Sequence, residues 1–532
     1  MPKRQELWEK SIVKVINKGT NIDFANPFRP NAPSDESQGT AYYISPHVLV
    51  TCYHVVADAQ QLLIQVDNDN IVNNHRAWVV YACPNIDLAL LYTHAEGVPL
   101  TVAAEDKIEP DDPLVGRGYP LGAPKLNTNR GVVSRYEDHL LVVDTPQNPG
   151  NSGGPQFDKR DQVVSTCKAG KLKANNMSYG VLSYYTRLAV SEFLSAVSQE
   201  FVSLEHDWAR HYSPDVLDSA ASSQIHKKSD PVLVLRPSED FLMQRGNEML
   251  LGSRGLPPEP DQRPLQGVLV TKIIKHSPAD KAGLRVGDLL LAIDGKKLSS
   301  DGFVLGYPEK NKTAKLKTYV KNGRAGQGIT LDVLPKSEKL KKNKTVKTVK
   351  TVLSSARERA IKGVFAESDD IDFEVFAGLV FENLTQNHGD PDLARELKFM
   401  PTTELAAALN FENWNTPRLL VVNVLPMSFF ACKHTVFPGF LVDAVNDIPV
   451  FDLESLRKAL TQVIKDKTQE YIVFSLATGG EAVIHKVVAA KQDPGMREMH
   501  GYEKSTLMDL LEQNTKGMKF VSSVADDCAF VD

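Results

Sequence analysis

From about residue 37 to 190 the chain reads as short strands broken at close intervals by glycine and proline. GTAYYI, SPH and VLVT form a hairpin-like unit, and WVVYACPNIDLALLY, LVGRGYPLGAP, GVVSRYEDHLLVVD and QVVSTCKAG continue the pattern. Many short strands with this punctuation and few helical periods predict an all-β barrel or sandwich. TRLAVSEFLSAVSQEF (186–201) then switches to helical spacing and is expected to close that domain.

With 532 residues the chain is too long for one core, and its length implies roughly three or four domains. The spacing and composition predict an N-terminal segment over 1–36, the β domain over 37–205 and a polar, Ser-rich linker over 206–230. A second globular unit over 231–336 follows, then a basic linker over 337–366, a third unit over 367–490 and a partly ordered tail over 491–532. The basic run KSEKLKKNKTVKTVKTV (336–352) reads as a solvated linker or as an edge strand protected by lysines. No aromatic residue interleaves it, so nucleic acid is not expected as a partner.

A net charge of −5 gives no pull toward nucleic acid or anionic membrane, and no apolar run approaches a membrane span. MPKRQELWEKSIVKVINKG lacks the apolar core of a secretory signal, and Glu6 and Glu9 argue against an organellar transit peptide. The five cysteines (52, 83, 167, 432 and 528) are scattered without metal-ligand spacing, which favours a reduced compartment and no metal. The expected address is cytoplasmic, with non-classical export left open.

TPQNPGNSGGPQF, Thr145 to Phe157, is where chemistry enters. Gly150, Gly153 and Gly154 with Pro149 and Pro155 make a tight turn around Ser152. A serine hydroxyl is a poor nucleophile until a neighbouring imidazole takes its proton and a carboxylate orients that imidazole. His54, just past the strand Val48-Leu49-Val50, is the candidate base. Asp87, at the mouth of the strand Leu88–Leu91, is the candidate orienter, since an aspartate entering a buried strand needs a hydrogen-bonding partner. The backbone N–H groups of Gly150 and Ser152 are candidates for holding the oxyanion. Each residue alone has a bland explanation: a surface histidine among 13, a strand-entry cap, a tight turn. The order His, Asp, Ser, each at a strand end, is what favours catalysis. The same glycines satisfy the G-x-S-x-G elbow of α/β-hydrolases, but Pro155 and DKRD follow where that elbow needs a helix.

The string GTAYYI…VLVTCYHVV…DLALL…GYPLG…GVVSR…NPGNSGGP resembles the HtrA/Deg serine proteases, densely from Gly39 to about Leu188. The resemblance implies a mainly β chain: a chymotrypsin/trypsin-like double β-barrel protease domain followed by two PDZ-like α/β domains. Two departures stand out, Cys52 where the family commonly has Asn, and TPQN before the turn. Gln147 is accordingly a substrate-pocket candidate.

GVLVTKIIKHSPADKAGLRVGDLLLAIDGKKL (267–298) resembles a PDZ domain of HtrA type. The resemblance places a peptide-carboxylate loop at Leu251, Gly252, Ser253 and Arg254, within LLGSRG. Such domains add a peptide as an extra strand. FAGLVFENLTQ (376–386), RLLVVNVLP (418–426) and GFLVDAVNDIPVFDLESLRKAL (439–460) are similar to the second PDZ of the plant-type Deg branch. The AGL and GD elements are missing there and a polar insertion, roughly 387–417, intervenes, so assembly is expected rather than peptide binding.

The family further implies an ATP-independent endopeptidase without cofactor that cleaves unfolded or exposed protein segments and takes peptide C-termini through its first PDZ. It also implies a homo-oligomer, trimer or hexamer. Trp8, Phe24 and Phe28 serve either the trimer contact or core packing. The competing function is a chaperone or scaffold that holds unfolded chains without cutting them.

Overall fold

Runs such as Val48–Thr51 and Leu88–Thr93 are buried at every position, and the fold gives each of their faces a core of its own. The structure is a computed structural model that describes residues 2–29, 32–34, 36–68, 71–104, 108–137, 139–168, 177–197, 213–227, 229–256, 266–306, 314–336, 346–365 and 369–518. Six strands make the first barrel: β1 (Ile12–Asn21), β2 (Ser37–Tyr43), β3 (Val48–Thr51), β4 (Ala59–Asn68), β5 (Ile71–Cys83) and β6 (Leu88–Thr93). They pair in the order β5–β4–β1–β2–β3–β6, and β6 returns to β5 to close the ring. Ala41, Tyr43, Leu49, Ala89 and Leu91 enter a cluster drawn from this barrel alone. Their sequence neighbours Tyr42, Val48, Val50, Leu90 and Tyr92 enter a larger cluster shared with the second barrel. The two-residue period of a strand therefore serves two cores at once.

The second barrel closes through β7 (Pro113–Gly118), β8 (Asn127–Glu137), β9 (Leu140–Val143), β10 (Pro155–Phe157), β11 (Val163–Lys168) and β12 (Ser178–Leu182). Its order is β9–β12–β11–β10–β7–β8. The helix Ser183–Val197 packs Tyr185, Leu188, Phe193 and Leu194 into the shared cluster. The expectation of a mainly β chain with a double barrel holds.

Several segments differ from the sequence reading. Residues 1–36, expected to stand apart, carry β1, which pairs with both β2 and β4; Val13 and Val15 fill the barrel and leave no seam there. The N-terminal aromatics pack within the chain. Trp8 lies edge-on to Phe157 at 4.7 Å, Phe24 is buried, and Phe28 meets Phe373 and Tyr502. Within the expected linker 206–230, the helix Pro214–His226 buries Leu217 and Ala221 against the barrels. Its Asp218 accepts hydrogen bonds from Ser45 Oγ at 2.6 Å and His47 N–H at 3.1 Å. Residues 206–212 of that linker, 337–345 of the basic run and 519–532 of the tail, with Cys528, lie outside the described residues.

A middle sheet follows, with strands Phe241–Arg245, Val268–Ile273, Leu289–Ile293, Gly328–Leu334 and Lys347–Val352 in that spatial order. SPADKAGL forms the short helix Pro278–Lys281, whose N-terminus is capped by Ser277. The described end of the basic run is the lysine-bearing edge strand, antiparallel to Gly328–Val333.

The C-terminal sheet orders Phe373–Phe376, Leu379–Asn383, Leu419–Val424, Leu441–Val445, Tyr471–Leu476 and Glu481–His485. Its helix Leu453–Lys465 starts at a capping box of Asp452 and Ser455. Leu453, Leu456, Leu460, Val463 and Ile464 form its buried stripe. The tail, expected to be only partly ordered, continues as helices Lys486–His500 and Thr506–Thr515, which insert Leu507, Met508 and Leu511 into the same core. Among the described residues no helix is long and apolar enough to cross a membrane.

Candidate active site

β3 ends at Thr51, and the chain turns through Cys52 into a single helical turn, Tyr53–Val56, that carries His54. Asp58, at φ 56°, stops the turn before β4 begins. The His54 side chain is 46% exposed. Asp87 closes the tight turn between β5 and β6, with its N–H bonded to the carbonyls of Cys83 and Pro84. Its φ of 66° lies in the left-handed region that aspartate tolerates better than most residues.

The Asp87 side chain is only 8% exposed and is the hub of the site. Oδ1 accepts from the His54 backbone N–H at 2.9 Å, and His54 Nδ1 lies 2.9 Å from Oδ1 and 2.8 Å from Oδ2. Lys168 Nζ approaches Oδ2 to 3.0 Å from the end of β11. Burial by itself would raise this carboxyl. The His54 hydrogen bond, the charge of His54 and then that of Lys168 outweigh burial and hold it below the usual aspartate range. An ionised carboxylate can only accept, so Nδ1 carries the imidazole proton and Nε2 is left as the acceptor.

Ser152 sits in a turn tied down by backbone bonds and by Thr40 Oγ1, which donates to Gly150 O at 2.7 Å. Asn151 N–H reaches Asn148 O at 3.1 Å, Thr40 N–H reaches Ser152 O at 2.8 Å, and Gly153 N–H reaches Cys167 O at 2.8 Å. A Cβ on Gly153 would lie 2.0 Å from Thr40 O and 3.1 Å from Cys52 N, and φ there is 86°. The serine turn therefore abuts the residue that leads into the helical turn of His54, and only glycine permits that approach. Gly150, at φ 96°, would place a Cβ 2.4 Å from Tyr119 O. Leu121 N–H binds the Pro149 carbonyl at 2.6 Å.

The structure thus sets His54 and Asp87 in direct contact and brings the Ser152 turn against the strand end beside them. Gln147 is half-buried, and its Oε1 accepts from Cys167 Sγ at 2.6 Å. The residues Leu251 to Arg254 do not form a capture loop. Asn247 Oδ1 accepts from Leu250 N–H and starts the helix Glu248–Ser253, which spends the local N–H groups on its own carbonyls. Leu251 is buried, and Arg254 binds the carbonyls of Gly287, Pro335 and Lys336. The asparagine cap, four residues before Leu251, is the signal the glycine-based reading overlooked.

Sequence reasoning also missed Lys168 on Asp87 and the thiols behind them. Cys52 Sγ donates to Cys167 O at 3.1 Å. Cys52, His54 and Asp87 offer ligand atoms within 4.8 Å of one another. They are a poor cation site, because burial pushes the Cys52 thiol well up and the Lys168 ammonium already holds the carboxylate. A cleft of about 1130 Å³ opens beside this site, between Tyr53, Ala57 and Asp58 of the barrel and Phe365, Asp390 and Trp414 from the C-terminal part of the chain.

Comparison with known proteins gives the domains that the chain resembles. Residues 39–165 match the family model of the trypsin-like peptidase domain, and residues 269–302 match that of the PDZ domain. A probable periplasmic serine endoprotease DegP-like from Ectopseudomonas mendocina (strain ymp) is 27% identical over 350 residues, covering 63% of this chain and 62% of that protein. One of the same description from Chlamydia pneumoniae is 23% identical over 502 residues, covering 90% of this chain and 82% of that protein. The chain spans about three fifths of the length of the first of these. The solved structure of the HtrA-type protease AlgW with tripeptide aligns at a TM-score of 0.44 and 20% identity, over 65% of this chain and 94% of that one. The cytoplasmic address expected from the N-terminal sequence needs correction, since both relatives are named periplasmic. The chain thus carries a trypsin-like peptidase domain and a PDZ domain, and it is similar to DegP-like serine endoproteases.

Proposed function

We propose that the protein is an ATP-independent serine endopeptidase that cleaves unfolded or exposed segments of other proteins. Ser152 Oγ attacks the scissile carbonyl, His54 Nε2 takes its proton and returns it to the leaving amine, and Asp87 holds the imidazole tautomer and stabilises its cation. The N–H groups of Gly150 and Ser152 hold the oxyanion, a contribution typically worth ~10²–10³ in rate per donor. The observation that carries this reading is the His54 imidazole bound through Nδ1 by both oxygens of a buried Asp87. It leaves Nε2 as the only ring nitrogen that can act as base.

In this reading the PDZ domain takes peptide C-termini by strand addition at Phe241–Arg245, and the C-terminal sheet serves assembly into a homo-oligomer. Trp8, Phe24 and Phe28 pack within the chain, which favours the core-packing role for them. Gln147 lines the pocket for the residue before the cut.

Digestion of a permanently unfolded protein at pH 8, by wild type and by Ser152→Ala, tests the proposal. Cleavage by the wild type alone is expected. Binding of the unfolded chain with no Ser152-dependent cleavage would favour the chaperone reading and overturn this one.

A further inference from the structure

We infer that Lys168 is a positioning residue for this reaction, its ammonium sharing the Asp87 carboxylate with His54 so that a proton added to the imidazole meets a second cation across the same carboxylate. The inference rests on the roles proposed for His54, Asp87 and Ser152.

Lys168 ends β11, whose other five residues are all buried. Its Nζ lies 3.0 Å from Asp87 Oδ2, the oxygen that is also 2.8 Å from His54 Nδ1. With His54 neutral, carboxylate and ammonium balance. With His54 protonated, two cations press on one carboxylate that is only 8% exposed. Water screens so enclosed a group weakly, and a like charge disfavours a second proton nearby.

The other titratable groups around the site are common to all the variants compared below; on the cleft side these are Asp58, Asp390 and Glu396. From the segment leading into the helical turn of His54 comes Cys52, and from β11 Cys167, both thiols pushed up by burial and therefore neutral. From the turn that carries Asp87 comes Cys83, likewise pushed up by burial. Behind that turn Arg236 is balanced by Glu192 at 2.8 Å, and Lys321 binds the Asn85 carbonyl at 3.3 Å. The nucleophile turn contributes Ser152, which does not titrate. Among the described residues, His54 and Lys168 are the ion-pair partners of Asp87.

The test is the pH profile of kcat/KM for wild type, Lys168→Met and Lys168→Arg, together with the NMR titration of His54 in full-length Ser152→Ala with and without Lys168→Met. Lys168→Met is expected to move the acid limb and the His54 midpoint up by about half to one pH unit, the modest end of what a neighbouring charge does because His54 is half open to water. Lys168→Arg, which keeps the cation, is expected to hold the wild-type midpoint. An unmoved or lowered midpoint in Lys168→Met would overturn the inference, whatever happened to the plateau rate. Lost activity with an unmoved NMR midpoint would make Lys168 a packing residue only. Should Lys168→Met fail to fold, Lys168→Gln supplies the same comparison with the hydrogen bond retained. Because the NMR titration needs no turnover, a moved His54 midpoint in a protein that never cleaves would uphold the charge sharing and sink the protease reading instead.

Discussion

The middle and C-terminal sheets run through the same order of strands and helices but end differently at one edge. In both, a strand leads to a short helix, a second strand, a two-residue hairpin strand, a longer helix and two final strands, with the paired short strands Phe303–Val304 and Ala314–Lys315 added before the longer helix of the middle unit. In the middle sheet the strand Phe241–Arg245 has no partner on its outer side among the described residues. In the C-terminal sheet the corresponding strand, Leu379–Asn383, is covered by Phe373–Phe376 through a hairpin turn at Ala377 and Gly378. Both turn residues have positive φ, as a tight hairpin needs. An exposed strand edge is what an added peptide strand requires, so topology alone does not make a peptide binder. The C-terminal sheet has supplied its own edge strand. Its insertion also reaches the middle sheet, where Lys275 N–H binds Glu412 O at 2.9 Å.

Hydrogen exchange gives the largest separation between the two edges. With a saturating C-terminal peptide, outward amides of Phe241–Arg245 are expected to slow by on the order of 100-fold, while those of Leu379–Asn383 are slow from the start and do not change. Equal responses would break the comparison. Single substitutions sharpen it next. Phe430, fully buried in the C-terminal core, should cost about 3–5 kcal/mol as Phe430→Ala. Leu242, 44% exposed on the open edge, should cost less than about 0.5 kcal/mol as Leu242→Ala, measured by denaturant unfolding, while weakening peptide binding.

A further contrast concerns pH. His388, buried in the C-terminal part, is pushed down to about 4 by burial. Its contribution to stability is therefore present above about pH 6.5 and lost as pH falls toward 4, worth at most roughly 3 kcal/mol. Its neighbour Glu382 is pushed well up by burial, with Asp23 adding to the shift, and so contributes in the opposite sense, losing stability as pH rises. Glu382→Gln removes the opposing titration while keeping a polar group in place of the carboxyl that lies 3.3 Å from His388 Nε2, and a thermal melt series from pH 7 to 4 reads what remains. A flat series in Glu382→Gln would show that His388 is not held neutral.

Much of the site could be read from the chain because it depends on near neighbours. His54 follows a strand, Asp87 precedes one, and Gly150 and Gly153 are required where the backbone turns beside Ser152. The capping of Pro278–Lys281 and of Leu453–Lys465 is equally local. Misreadings arose where a local signal met a stronger one or where the partner was far away in sequence. Asn247 turned an expected capture loop into the helix Glu248–Ser253. The apolar residues of the N-terminal segment found a place between β2 and β4 that composition does not reveal, and the helix Pro214–His226 looked like a linker until its apolar side met the barrels.

By itself, the sequence determined the strand periods, the turns that demand glycine, the chemistry available at His54, Asp87 and Ser152, and the succession of units. These follow from backbone sterics and side-chain chemistry, which act over a few residues. Only the tertiary structure decided that Lys168 of the second barrel meets Asp87 of the first, and that one sheet edge is left open while its counterpart is paired. The physical reason is that charge pairing and edge pairing depend on which distant segments are brought within about 3 Å of each other, and that is set by closure of the barrels and sheets as wholes.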